Sequence, residues 1–156
     1  SQKIRLLCRG RIIFYCYPEY IRQFGTPSTQ AEIEEKLVMG VVLDHEISDK
    51  IAYIINAKTE QKTIFSQKYR IIQNSGEHDI ELARSGKIIA AGMDIMLKHE
   101  LESGAIIRLL PDCYLPGFDY FLLVNPEGKN ARIEAFINFI NQCLASLNLS
   151  DNLSMA

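Results

Sequence analysis

The chain reads as an α/β protein with a mixed, mostly parallel sheet, and three observations carry that reading. Tyr69-Arg70-Ile71-Ile72-Gln73 is a short β-branched run, and a capped helix follows it from Asn74 to Gly86. Lys87-Ile88-Ile89-Ala90-Ala91-Gly92 then reads as a buried strand, completing the strand–helix–strand order of a parallel sheet. Finally, Ile133, Phe136, Ile137, Ile140, Leu144 and Leu147 recur at helical spacing and mark a closing amphipathic helix.

The 156 residues are enough for one domain, or for two small lobes on one chain. A formal net charge of -2 gives no general electrostatic attraction for nucleic acid, whose binding rests on phosphate neutralisation. No apolar run is long enough to span a bilayer. Ser1 to Arg11 alternates basic and apolar residues and lacks the apolar core of a signal peptide, so a cytoplasmic protein is expected.

In chain order, Lys3–Cys8 and Arg11–Cys16 read as two strands parted by Arg9-Gly10. Ile12 to Tyr15 is apolar throughout, as suits a strand covered on both faces. Pro18 opens a short helix through Phe24, with Gly25 as its stop. Thr29 and Glu32 form a T-x-x-E capping box for a second helix, whose buried side is Ile33, Leu37 and Val38. Strands follow at Val41–Leu43, Ala52–Ile55 and Thr63–Phe65. The polar run Lys58–Lys62 joins the last two as a hairpin, either at an edge or as an antiparallel addition. Asp94 is placed to cap a helix through Glu102, with Gly104 ending it. Ala105–Leu110 and Tyr120–Val124 are the remaining strands, and Ser150 onward reads as a frayed tail.

The chemistry is mostly negative. No nucleophile elbow, phosphate-binding glycine loop or dinucleotide fingerprint occurs, and no enzyme activity or cofactor is expected. His45, His78 and His99 are isolated, with no spacing for a metal. Cys8, Cys16, Cys113 and Cys143 are widely spaced; they read as small buried apolar groups, with a redox switch or disulfide as the other reading. Tyr15, Tyr17 and Tyr20 either line a pocket or belong to the core. Asn74-Ser75-Gly76 is either a plain helix cap or a cap whose N–H groups also receive a ligand. Glu77, Asp79 and Glu81 set negative charge in the first two turns of that helix. They favour a polar uncharged ligand, or an anion aided by a basic residue.

The ordered segments resemble the effector-binding domain of LysR-type transcriptional regulators. Phe14-Tyr15-Cys16-Tyr17-Pro18-Glu19-Tyr20-Ile21 and Phe24-Gly25-Thr26-Pro27 are similar to the family's strand, "SPxYL" and "HGTP" run. Thr29-Gln30-Ala31-Glu32-Ile33 is similar to "TPEDL". Asn74-Ser75-Gly76-Glu77 and Ala83-Arg84-Ser85-Gly86 fall in register with "NDGEALRAAALAGLGIALLP". Leu101 to Asp112 resembles "LASGRLVRVLPD", and Ala131 to Ile137 resembles "ARVRAFIDFL". Ile88 departs from the second glycine of "GLG", and Met93 stands in place of proline.

The resemblance covers residues 3 to 147 and implies a type 2 periplasmic-binding-protein-like lobe with a partial second lobe. Residues 14–112 would form subdomain II, and 1–13 with 113–149 the returning part of subdomain I. The hinge would be Arg11–Cys16 and the segment after Pro111. It implies a ligand-sensing, dimerising domain that binds a small-molecule effector, with a carboxylate as one candidate. DNA would be held only by an N-terminal winged helix-turn-helix lying upstream. The ligand contacts carried over are Tyr17, Asn74, Ser75 and Gly76, with Tyr17 filling space where the family has a small hydroxyl residue. A piece of a periplasmic solute-binding protein is the alternative. Self-association through exposed apolar surface and sheet edge is expected.

Overall fold

The computed structural model describes residues 3–37, 39–41, 52–66, 71–73, 76–124 and 130–146. Its first strand, β1, runs unbroken from Lys3 to Cys16, so Arg9-Gly10 does not divide it. Gly10 instead marks a boundary of another kind. The chain clusters into one compact unit of 1–10 with 117–156 and a second of 11–116. Both β1 and the long strand β8 (Cys113–Val124) pass from one unit into the other.

In the 11–116 unit, Ile13, Phe14, Tyr15 and Cys16 are all wholly buried. Strand alternation sends Phe14 and Cys16 to one face and Ile13 and Tyr15 to the other. The first face packs with Tyr20, Ile33, Leu37, Ile54, Phe65, Ile89 and Leu109. The second packs with Ala83, Ala90, Leu97 and Ile106. Two covered faces are why this run carries no polar residue. Tyr15 and Tyr20 are therefore core, and Tyr17 is half-buried against the second cluster.

Helix α1 spans Pro18–Phe24 and ends at Gly25, whose φ of 78° only glycine adopts freely. Helix α2 spans Gln30–Lys36 and carries the full capping box between Thr29 and Glu32. Ile33 and Leu37 are its buried side; Val38 lies outside the described residues. Strands β3 (Ala52–Asn56) and β4 (Lys62–Phe65) form the antiparallel hairpin. In the sheet order β4-β3-β8-β1-β6, where β6 is Ala90–Met93, the hairpin supplies the edge. That edge is not bare, because α2 lies along it. Gln30 Nε2 donates to the Ile64 carbonyl at 2.7 Å, and Glu34 Oε1 accepts from the Ser66 N–H at 2.9 Å.

The direction of the sheet differs from the sequence expectation. Strand β1 pairs antiparallel with β6 (Ala90–Met93) and with β7 (Ile107–Leu109), and β3 pairs antiparallel with both β4 and β8. Parallel pairing joins β2 (Met39–Val41) to β5 (Ile71–Gln73) in a separate two-stranded sheet. The expected βαβ unit fails for a topological reason. Strand β5 and β6 flank helix α3 (Gly76–Arg84) but belong to different sheets. Val42 and Leu43 lie outside the described residues.

Asp94 does not cap a helix. Its Oδ1 accepts from the N–H groups of Arg11 and Ile95, at 3.0 and 2.8 Å, tying a turn to β1. Helix α4 starts later and spans Lys98–Glu102, with Gly104 just beyond its end at φ 72°.

The other unit contains helix α5 (Ala131–Ser146) together with parts of β1 and β8. Asn130 caps α5, its Oδ1 accepting from Arg132 N and Ile133 N. Ile133, Ile137, Ile140 and Leu144 are half-buried as their spacing predicts, but Phe136 and Phe139 are both 59% exposed. Phe118, Phe121 and Leu123 of β8 are also exposed. Leu147 and the tail from Ser150 lie outside the described residues.

Candidate functional site

The site begins at the N-terminus of α3. Gly76 is its first residue; Asn74 and Ser75 lie outside the described residues. The first N–H groups of a helix have no partner within it, and they favour a negative or polar oxygen.

Two of the three acids expected to oppose an anion are held by their surroundings. Asp79 is 3% exposed, and desolvation pushes its carboxyl up to about 6, with His78 pulling the other way. Glu81 is exposed and held by Arg84, with Nη1 to Oε1 at 2.8 Å. Sequence spacing gave no sign of this, because solvent exposure along a short helix depends on what packs over it.

Tyr17 is the backbone N-cap of α1, extended at φ -81° and ψ 152°, and its side chain makes no cap hydrogen bond. A hydrogen bond with Tyr17, then the charge of Glu81, favours the ionised form of Arg84. The recorded contacts of Tyr17 thus reach the last turn of α3. Helical rise separates that turn from Gly76 by roughly 12 Å along the axis. Of the four ligand residues expected, the structure describes Tyr17 and Gly76.

A polar group that the sequence did not reveal lies behind this helix. Tyr15 Oη and Glu100 Oε2 are buried with no hydrogen-bond partner among the described residues. Tyr15 holds its proton strongly, first because of burial and then because Asp79, Tyr17 and Glu100 are close. At the far end of the same face, Arg11 stacks on the Tyr114 ring with its guanidinium carbon 4.6 Å from the centroid. Arg108 Nη2 donates to the Cys113 carbonyl at 3.3 Å.

The cysteines show no activation. Burial pushes the Cys16 thiol up to about 11 and raises that of Cys113 as well, which keeps both protonated near neutrality. Cys8 and Cys16 are buried, Cys113 is half-buried and Cys143 is exposed, so the expectation of four buried thiols holds for the first two, in part for Cys113, and fails at Cys143. Among the described residues no disulfide forms and no three metal-ligating side chains stand together. None of the described helices is long and apolar enough to cross a membrane.

No family model matches the chain, and no curated protein does. Solved structures do. The regulatory domain of AphB from Vibrio vulnificus, treated with cumene hydroperoxide, aligns over 90% of this chain and 68% of its own, at 19% identity and TM-score 0.70. The regulatory domain of CrgA, a LysR-type transcriptional regulator from Neisseria meningitidis, aligns over 92% and 69%, at 20% identity and TM-score 0.67. The effector domain of the transcriptional regulator AmpR of Pseudomonas aeruginosa aligns over 98% and 70%, at 17% identity and TM-score 0.64. Against full-length CrgA the chain spans 48% of that protein. The chain therefore has the α/β fold of LysR-type regulatory domains, with its main sheet antiparallel.

Proposed function

We propose that this chain is the effector-sensing and dimerising part of a LysR-type transcriptional regulator and acts by binding rather than by catalysis. The observation that carries the reading is the likeness to LysR-type regulatory domains over 90% of the chain. It favours a regulator over a periplasmic solute-binding protein. Residues 14–112 are assigned to subdomain II, and 1–13 with 113–149 to the returning part of subdomain I. The ligand contacts are assigned to Tyr17, Asn74, Ser75 and Gly76.

The ligand class follows from charge. Gly76 opens a helix in which Asp79 is buried and Glu81 is paired with Arg84, and a small carboxylate is the ligand class assigned to the helix start. Binding would act by favouring one arrangement of the domain over another, by as much as its affinities for the two differ. DNA contact is assigned to the portion of such regulators that this chain does not match, and the site of action to the cytoplasm.

A thermal-shift screen of small carboxylates against the chain tests the reading. A hit should raise Tm, and Tyr17→Ser should change which carboxylates score, because it opens the space the ring fills. Uniform silence across the panel, together with tight salt-sensitive retention of DNA, would overturn it.

A further inference from the structure

We propose that Arg11 and Arg108 together bind a small carboxylate within the 11–116 unit, at a place separate from the start of α3. Strand register puts the two residues on one face of the sheet. Arg108 of β7 stands opposite Tyr15 of β1, and side-chain alternation sets Arg11 on the same side of β1 as Tyr15. Tyr114 packs against the cluster on that face. Both arginines then reach the start of β8. The Arg11 guanidinium carbon lies 4.6 Å from the Tyr114 ring centroid, and Arg108 Nη2 donates to the Cys113 carbonyl at 3.3 Å. Two cations from two strands thus meet adjacent residues of a third. The turn between β7 and β8 fixes that reach. Cys113 N–H donates to the Leu110 carbonyl at 2.8 Å, and Leu110 is held at φ 46°, a conformation leucine rarely adopts.

An acceptor is what the cluster lacks. Arg11 and Arg108 are both half-buried, and among the described residues neither guanidinium makes an ion pair. Arg108 Nε is buried with no hydrogen-bond partner among the described residues. The acids on hand are engaged elsewhere. Asp94 Oδ1 accepts from the N–H groups of Arg11 and Ile95, and Asp112 Oδ2 is paired with Lys58 Nζ at 2.8 Å. Burial, opposed by Asp94 and reinforced by Arg11, holds the Arg108 guanidinium below its usual value.

Charge selects the ligand class. Lys58 answers Asp112, and Asp94 answers one guanidinium, which leaves one positive charge for a monoanion. A carboxylate brings that charge on two coplanar oxygens, the pattern that guanidinium N–H groups match. The inference does not rest on the effector reading at Tyr17 and Gly76, and different variants report on the two.

The test is titration of the whole chain with sodium acetate at pH 6, read at the Nε–Hε signals of Arg11 and Arg108 by NMR, beside sodium chloride at equal ionic strength. Both signals should move with acetate along one saturable curve and stay in place with chloride. Arg11→Gln should raise the midpoint read at Arg108 roughly tenfold or more, and Arg108→Gln should do the same for the midpoint read at Arg11. Tyr17→Ser should leave the midpoint unchanged. Equal movement in acetate and chloride would overturn the proposal, as would two different midpoints for the two arginines. Loss of the response in Tyr17→Ser would assign the acetate to the other site and overturn it too. Should either Gln variant fail to fold, the comparison of acetate with chloride in the unaltered chain decides.

Discussion

Gly86 lies so close to Glu19 that a Cβ on Gly86 would fall 2.6 Å from the Glu19 Cβ and 2.7 Å from its Cγ. Its φ of 71° adds a second reason for glycine. Here the turn after α3 meets the first turn of α1, and the Glu19 side chain leaves no room for a methyl group. Gly86→Ala should destabilise the chain by about 2–3 kcal/mol, read as a lower urea midpoint. An unchanged midpoint would mean that the two helices do not approach as described.

The centre of the first core face gives a second expectation. Phe14 is wholly buried, with its ring centroid 5.2 Å from that of Phe65. Phe14→Ala should cost about 3–5 kcal/mol in chemical denaturation, whereas Phe14→Leu should cost clearly less.

The capping box on α2 predicts a pH effect. The N–H groups of Ser28 and Thr29 donate to Glu32 Oε2 at 2.7 and 3.0 Å, and these bonds hold the carboxyl below its usual value. A lowered carboxyl pKa stabilises above the unfolded-state value and loses that contribution as pH falls through the folded value. Protection of the Ser28 and Thr29 amides should therefore drop on acidification below the ordinary carboxylate range. Thr29→Ala should cost about 1 kcal/mol at neutral pH. Amide exchange between pH 3 and 6 checks the first, and a urea melt the second.

The exposed side of α5 predicts association. Phe136 and Phe139 stand open on one helix, and Phe118, Phe121 and Leu123 are open on β8 of the same unit. Sedimentation velocity should show weight-average mass rising with concentration. The double change Phe136→Ser with Phe139→Ser should lower that rise. A monomer at high concentration before any substitution would sink the expectation.

Local features were legible in the sequence, and non-local ones were not. Pro18, Gly25, the Thr29–Glu32 pair and the hairpin turn at Lys58–Lys62 act over a few residues, and each stands as read. Strand direction is set by partners far along the chain, so the order strand–helix–strand around Asn74 suggested a parallel unit, whereas its two strands belong to different sheets. Gly10 looked like a strand break because glycine usually is one; β1 runs through it, and the residue falls instead at a unit boundary. Asp94 sits where a cap belongs by spacing, but the Arg11 N–H, a strand partner distant in sequence, claims its oxygen. The same limit hid the candidate site's polar group. Only packing reveals that Asp79 is buried near Tyr15, and that Tyr17 meets Arg84 at the far end of the helix.

The division of the chain has a consequence during synthesis. Residues 11–116 form one uninterrupted stretch, whereas the other unit needs 1–10 and 117–156 together. Ribosomes add about 5–20 residues per second, so residues 1–10 emerge several seconds or more before 117–156 do. Through that interval Ile4, Leu6 and Cys8 of β1 lack the contribution of 117–156, and a nascent chain stalled there should be a form that holdase chaperones bind.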